Sequence, residues 1–131
     1  MMTQQDRAVV AHAIAVAERG TTGRIAVRVI PDKSVDAFER AKHEFERTGL
    51  HRHDPANAAL VLVAPKARRF AVVGDRALHA CVGDAFWNQL IQESRPYFTR
   101  GALTDGIVHA VGRVGEALRA HFAVAAGEET P

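Results

Sequence analysis

The chemistry available to this chain is oxygen chemistry. Glu18, Asp54, Asp75 and Asp84 supply carboxylates, Asn57 supplies an amide oxygen, and Thr21 and Thr22 supply hydroxyls beside Gly23. Carboxylate and amide oxygens gathered at one place can hold a hard cation such as calcium or magnesium, which prefers oxygen ligands. Asp54, Asn57, Asp75, Asp84 and Glu18 are therefore the candidate metal ligands, with Thr21, Thr22, Gly23 and Gly74 as neighbours in the same loops. The same residue types also serve plain turns, where Asp and Asn bond nearby backbone N–H groups, and both readings stay open here. No residue declares itself catalytic.

Other chemistries are poorly represented. His51-Arg52-His53 could suit zinc or copper, but no cysteine or second histidine pair stands at zinc-site spacing, so a solvated basic loop accounts for it. His12, His43, His109 and His121 fall on helical stretches, and His79 lies in a connector near the oxygen-rich loops. Cys81 has Trp87 where a cysteine-phosphatase loop needs arginine. There is no glycine-rich phosphate loop with a lysine, no paired aspartate motif after an apolar strand, and no glycine after Arg52-His53.

The elements that must position these residues centre on one hairpin. Residues 60–63 (LVLV) and 70–73 (FAVV) are short apolar runs bounded by Pro65 and Gly74, the pattern of strands covered on both faces. Pro65-Lys66-Ala67-Arg68 turns between them. Upstream, Val9, Val10, Ala13, Ile14 and Ala17 predict an amphipathic helix over 4–19, stopped by Gly20. Residues 24–30 alternate as a first strand ended by Pro31, and Ser34 is the expected N-cap of a second helix burying Val35, Phe38, Ala41 and Phe45 and closed by Gly49. A strand, a crossover helix and a strand predict a parallel first pair, with the third strand antiparallel. Residues 75–82 read as a connector. Asp84 is the expected cap of a third helix interrupted at Pro96, and Thr104 that of a last helix with Ile107, Val108, Val111, Val114, Leu118 and Phe122 on one face. Gly112 and Gly115 beside that stripe would permit close approach to a neighbour. The predicted fold class is α/β: a three-layer α/β/α sandwich whose small mixed sheet is covered by helices on both faces. In that topology the first strand begins at Thr22-Gly23, the second at Asn57, and the third ends at Gly74-Asp75, so the oxygen-bearing loops share one edge.

Composition bounds the function. The 131 residues suit one domain. A formal charge of +2, with basic and acidic residues interleaved, argues against nucleic acid as a partner. The single cysteine rules out an internal disulfide framework and fits a reducing compartment. The N-terminus lacks the pattern of a signal peptide and no stretch predicts a transmembrane segment, so a soluble, cytoplasmic protein is the expectation.

Taken together, several stretches form a recognisable series. These are Ala13-Ile14-x-x-Ala17-Glu18-x-x-Thr21-Thr22-Gly23, Ile25 to Val29, Asn57 to Pro65, Arg69 to Asp75, Gly83-Asp84-Ala85-Phe86-Trp87, and Gly101 with Gly106. In order and spacing the chain resembles the TPM domain family, whose founding members include a thylakoid-lumen protein of photosystem II repair. The resemblance implies a single TPM-like domain over 1–124 with a polar tail at 125–131, and a three-layer fold. It also implies two activities found among members: acid phosphatase, and binding of calcium or another divalent ion at the loops named above. Many members are exported and carry a membrane anchor after the domain. Here Ala56 and Ala58 flank Asn57 where the family often has an acidic residue and a glycine, and Arg24 stands where glutamate is common. These departures favour a non-catalytic binding or assembly module for an unidentified protein partner, linked to maintenance of a membrane complex. The alternative is a weak divalent-metal-dependent acid phosphatase acting on phosphate monoesters.

Overall fold

The computed structural model describes residues 2–124; the tail expected at 125–131 lies outside the described residues. The element order is α1 (Gln4–Glu18), β1 (Arg24–Val29), α2 (Ala37–Arg47), β2 (Ala58–Ala64), β3 (Arg69–Gly74), α3 (Arg76–Thr99) and α4 (Leu103–His121), with short 3-10 turns at Leu50–Arg52 and Pro65–Ala67. The sheet has the order β1-β2-β3, with β1 parallel and β3 antiparallel to β2. All seven residues of β2 are buried, as a strand covered on both faces requires. Because side chains alternate across a strand, β2 divides between two cores. Ala59, Val61 and Val63 join Ile25, Leu78, Leu90, Ile107, Val114 and Leu118 beneath α1, α3 and α4. Ala58, Leu60, Leu62 and Ala64 join Ile30, Ala41 and Phe45 beneath α2.

Local chemistry explains the boundaries. Thr3 and Asp6 close a reciprocal capping box on α1: the Thr3 hydroxyl accepts from the Asp6 N–H at 3.0 Å and the Asp6 carboxylate accepts from the Thr3 N–H at 2.9 Å. Gly49 takes a left-handed φ of 80° after α2, the expected stop. On α4, Gly115 provides the close approach, since a Cβ there would lie 2.7 Å from the Cβ of Ala17 on α1. Gly112 faces open space instead.

Five local expectations are corrected. Asp36, not Ser34, caps α2, its carboxylate accepting from the Glu39 N–H at 3.1 Å. Starting the helix at Ala37 puts Ala37, Ala41, Glu44 and Phe45 on the buried stripe, and leaves Phe38 52% exposed with Lys42 Nζ 5.0 Å from its ring centre. The connector after Asp75 is already helical, and Gly83 (φ 73°, ψ 175°) breaks α3. The helix then continues through Pro96 to Thr99: a proline removes one helical N–H, while Phe98 packs 4.5 Å from Phe70 and Tyr97 stacks 5.5 Å from His109. Finally, α4 starts at Leu103 after Ala102, with no side-chain cap from Thr104.

Glu44 is the polar residue that enters the stripe. It is 3% exposed, and it accepts from Arg47 Nη2 at 3.0 Å and from Arg28 Nε of β1 at 3.1 Å. The bonds from Arg47 first, then Arg28, hold its carboxyl well below the usual range, down to about 2. A second cluster joins α3 to α4: Glu93 accepts from His109 at 2.8 Å and from Arg113 at 3.0 Å, and these bonds lower its pKa.

Leu62→Ala is expected to cost about 2–5 kcal/mol in urea unfolding by opening a cavity, whereas Phe38→Ala is expected to cost under about 0.5 kcal/mol. Because the folded-state pKa of Glu44 is depressed from 4.5 to about 2, its contribution is present above pH 4.5 and is lost as pH falls towards 2. Unfolding measured across that window should show a shallower acid limb in Glu44→Gln than in the parent.

Candidate functional site

The oxygen-bearing loops do meet at one rim of the sheet. Arg24 of β1 pairs with Ala58 of β2, and Ala59 pairs with Gly74 of β3, so the starts of two strands and the end of the third are side by side. The Asp75 N–H extends the ladder to the Ala58 carbonyl at 2.9 Å. The Ala56 carbonyl accepts from the Ala77 N–H at 2.9 Å, satisfying an orphan donor in the first turn of α3. Residues 54–57 are thus held against the N-terminus of that helix, where the backbone dipoles favour negative charge.

Most oxygens at the rim already have partners. Thr21 is 8% exposed, and its hydroxyl donates to the Phe122 carbonyl at 2.7 Å and lies 3.2 Å from that of Leu118, while accepting from the Gly23 N–H at 3.1 Å. It thereby satisfies carbonyls at the C-terminal end of α4 and ties them to the loop before β1. Gly23 is required by the same packing, since a Cβ there would lie 2.5 Å from Leu118. Glu18 Oε2 accepts from the Ile25 N–H at 2.8 Å. The Thr22 hydroxyl accepts from Asn57 Nδ2 at 3.1 Å, and the Thr22 carbonyl lies 2.8 Å from His53 Nε2.

Two oxygens are left over. Among the described residues, Asn57 is fully buried with Oδ1 unpartnered, and Asp75 spends Oδ1 on the Arg76 N–H at 2.8 Å while Oδ2 is buried without a partner. A buried acceptor left unpaired costs about 1–3 kcal/mol, so two at one rim form an unfilled demand for a donor or a cation. The other two candidate carboxylates do not answer it. Asp54 is exposed, and Asp84, with a side chain 89% exposed, faces His79 Nε2 at 3.5 Å. Among the described residues, no group of three or more His, Cys, Asp or Glu side chains is placed to hold a metal ion.

Sequence reasoning missed the arrangement around Trp87. Its indole N–H donates to His79 Nδ1 at 3.0 Å, which fixes the proton of the neutral ring on Nε2, the nitrogen facing Asp84. Gly74 makes room for this indole, because a Cβ there would fall 2.3 Å from the ring. The ties from Thr21 to Leu118 and Phe122 were equally hidden, since nothing in the local sequence of either partner signals a bond across about a hundred residues.

Thr21→Val should lower stability by about 1–3 kcal/mol, because it removes the hydroxyl and leaves the Gly23 N–H unpaired. Thr21→Ser should retain most of it. Urea unfolding of the two variants checks the assignment.

Comparison with known proteins places this geometry. The family model described as the TPM domain matches residues 1–117. The NMR structure of BA42 from the psychrophilic bacterium Bizionia argentinensis is 27% identical, with a TM-score of 0.85 over 94% of this chain and 85% of that one. The N-terminal domain of a P. gingivalis protein shares the fold at 16% identity and a TM-score of 0.75, covering 95% of this chain and 82% of that one. The N-terminal domain of the cg2496 protein from Corynebacterium glutamicum does so at 14% identity and 0.70, covering 90% and 74%. No curated protein sequence matches the chain. A strand order, a helix arrangement and a family match that agree over most of the length lead to one conclusion: the chain belongs to the TPM domain family.

Proposed function

We propose that this TPM domain is a non-catalytic binding module, and that its rim takes up one divalent cation through Asn57 and Asp75. The observation that carries this reading is the pair of buried, unpartnered acceptors, Asn57 Oδ1 and Asp75 Oδ2. Their chemistry fits an oxygen-preferring ion such as calcium. Zinc or copper would want imidazole or thiolate, but His53 lies against the Thr22 carbonyl and Cys81 is on the exposed first part of α3. Calcium takes about six to eight oxygen ligands, so two protein oxygens leave most of its positions to water or to a partner's carboxylates. An ion held in this way would act as a connector, which supports an assembly role with a protein partner, such as a component of a membrane complex.

The alternative reading, a weak metal-dependent phosphatase, needs a carboxylate poised to activate water beside the ion. Asp84 is turned towards His79 and Asp54 is exposed, which gives that reading less support than the binding module.

Titration of the domain with calcium, followed by backbone NMR, should give saturable shifts clustered at Thr22, Asn57 and Asp75. Calcium at 100-fold over its Kd should stabilise the fold by about 2.7 kcal/mol. Asp75→Asn should abolish the clustered shifts while keeping a folded spectrum. Hydrolysis of p-nitrophenyl phosphate should stay at the buffer rate with or without the ion. Flat titrations would sink the proposal, and turnover that disappears in Asp75→Asn would establish the phosphatase instead.

A further inference from the structure

The opposite end of the sheet carries a different chemistry. There the β2–β3 turn brings Lys66, Arg68 and Arg69 together, and Arg95 of α3 joins Arg68 and Arg69 around a cavity of about 630 Å³. Its floor includes Phe70 and Phe98, whose rings are 4.5 Å apart. Among the described residues no acidic side chain lines it. Among the same residues none of these four cations forms an ion pair, and the one side-chain bond among them is Arg69 Nη1 to the Arg68 carbonyl at 3.3 Å. Arg68 also holds a left-handed φ of 53°, the one non-glycine residue to do so among those described. A turn position of that kind is cheaper for glycine or asparagine, so an arginine there is unexplained by the backbone alone.

A second groove of about 600 Å³ runs between α1 and the outer side of β1. Its lining includes Val10, Ile14, Val27, Val29 and Leu103, and its only charged residues are Arg7 and Lys66. Val29 is 41% exposed in it, an unusual position for a branched apolar side chain on an edge strand. The two cavities have Pro65 and Leu103 in common, so the apolar groove adjoins the arginine-lined one at the β2–β3 turn.

From this juxtaposition we infer that the chain has a binding site for a single-chain anionic amphiphile: the acyl tail lies in the groove between α1 and β1, and the acidic head is held by Arg68, Arg69 and Arg95. Guanidinium groups suit such a head because they meet phosphate or carboxylate oxygens with paired N–H donors. A tail of saturated carbons suits the groove because it removes branched apolar side chains from water while asking for no hydrogen bonds. Lys66 lines the apolar groove on the turn that separates the two cavities, where its ammonium complements a negative head. The site is independent of the Asn57–Asp75 rim, which lies at the other end of the strands.

The test is a backbone NMR titration with lysophosphatidylglycerol below its micelle-forming concentration. Two controls accompany it: lysophosphatidylcholine of the same tail length, and glycerol 3-phosphate as the head alone. The anionic amphiphile should give saturable shifts in both residue sets, Val27, Val29 and Leu103 as well as Arg68, Arg69 and Arg95. The isolated head should bind roughly tenfold more weakly or worse because it buries no tail, and the zwitterionic analogue likewise because its ammonium is repelled by the arginine cluster. Joint replacement Arg69→Glu and Arg95→Glu should weaken the anionic amphiphile by a similar factor at an unchanged melting temperature, while Asp75→Asn should leave it unaffected. Should the charge reversal compromise folding, Arg69→Gln with Arg95→Gln serves the same purpose. Equal affinity for the zwitterionic analogue would overturn the selection for a net negative head, and unchanged affinity in the Arg69 and Arg95 replacements would overturn the role of the arginines. Equal affinity for glycerol 3-phosphate, with shifts confined to the arginine set, would overturn the acyl groove. Absence of saturable shifts would overturn the site altogether.

Discussion

The structure depends on one strand having no polar face. β2 is buried along all seven of its residues, with α2 on one side and α1, α3 and α4 on the other. A strand in that position can satisfy its backbone through its two neighbours but can offer no side chain to water. Polar function along β2 is therefore displaced to the ends of that strand. The packing that creates the core also creates two poles, and the chemistry of the domain has nowhere else to go.

The poles differ because different elements meet there. At the start of β2 the chain runs into the N-terminus of α3, whose first-turn amides take up the Ala56 carbonyl, and it is fastened to the end of α4 through Thr21. Amides and hydroxyls consume most of the available oxygens, and what remains is a buried pair of acceptors at Asn57 and Asp75. At the far end, the tight turn between β2 and β3 shares its cavity with the end of α3 and the start of α4, and among the described residues no carboxylate lines that cavity. Among the described residues, one pole presents buried acceptors without a partner and the other exposed cations without an ion pair. The two ends of the sheet therefore differ in both charge and burial.

Much of the fold was legible because it follows from periodicity. The parallel first pair, the antiparallel hairpin, the amphipathic face of α4 and the stop at Gly49 all follow from apolar spacing or from glycine and proline. Errors arose where two local signals competed. Ser34 and Asp36 are both good caps, and the expected and observed stripes share Ala41 and Phe45 but differ in having Glu44 rather than Phe38 at the buried surface. No propensity argument places a glutamate there. It enters because Arg28, from a different element, and Arg47 on its own helix are both close enough to hold its charge. The local rule that ends a helix at Pro96 is outweighed by the packing of Tyr97 and Phe98.

The candidate site divides in the same way. Sequence alone determined which loops share an edge, because strand direction follows from the lengths and types of the connections, and it therefore brought Thr22, Asn57 and Asp75 to one rim. Only the tertiary structure decided which oxygens there are bonded and which are not, and it set Asp84 opposite His79. It alone also joined Arg95 to Arg68 and Arg69, and set the groove of α1 and β1 beside them. The reason is one of range. Apolar periodicity is a property of neighbouring residues and can be read along the chain, whereas the pairing of a polar atom depends on what arrives from elsewhere, to within the few tenths of an ångström that a hydrogen bond tolerates.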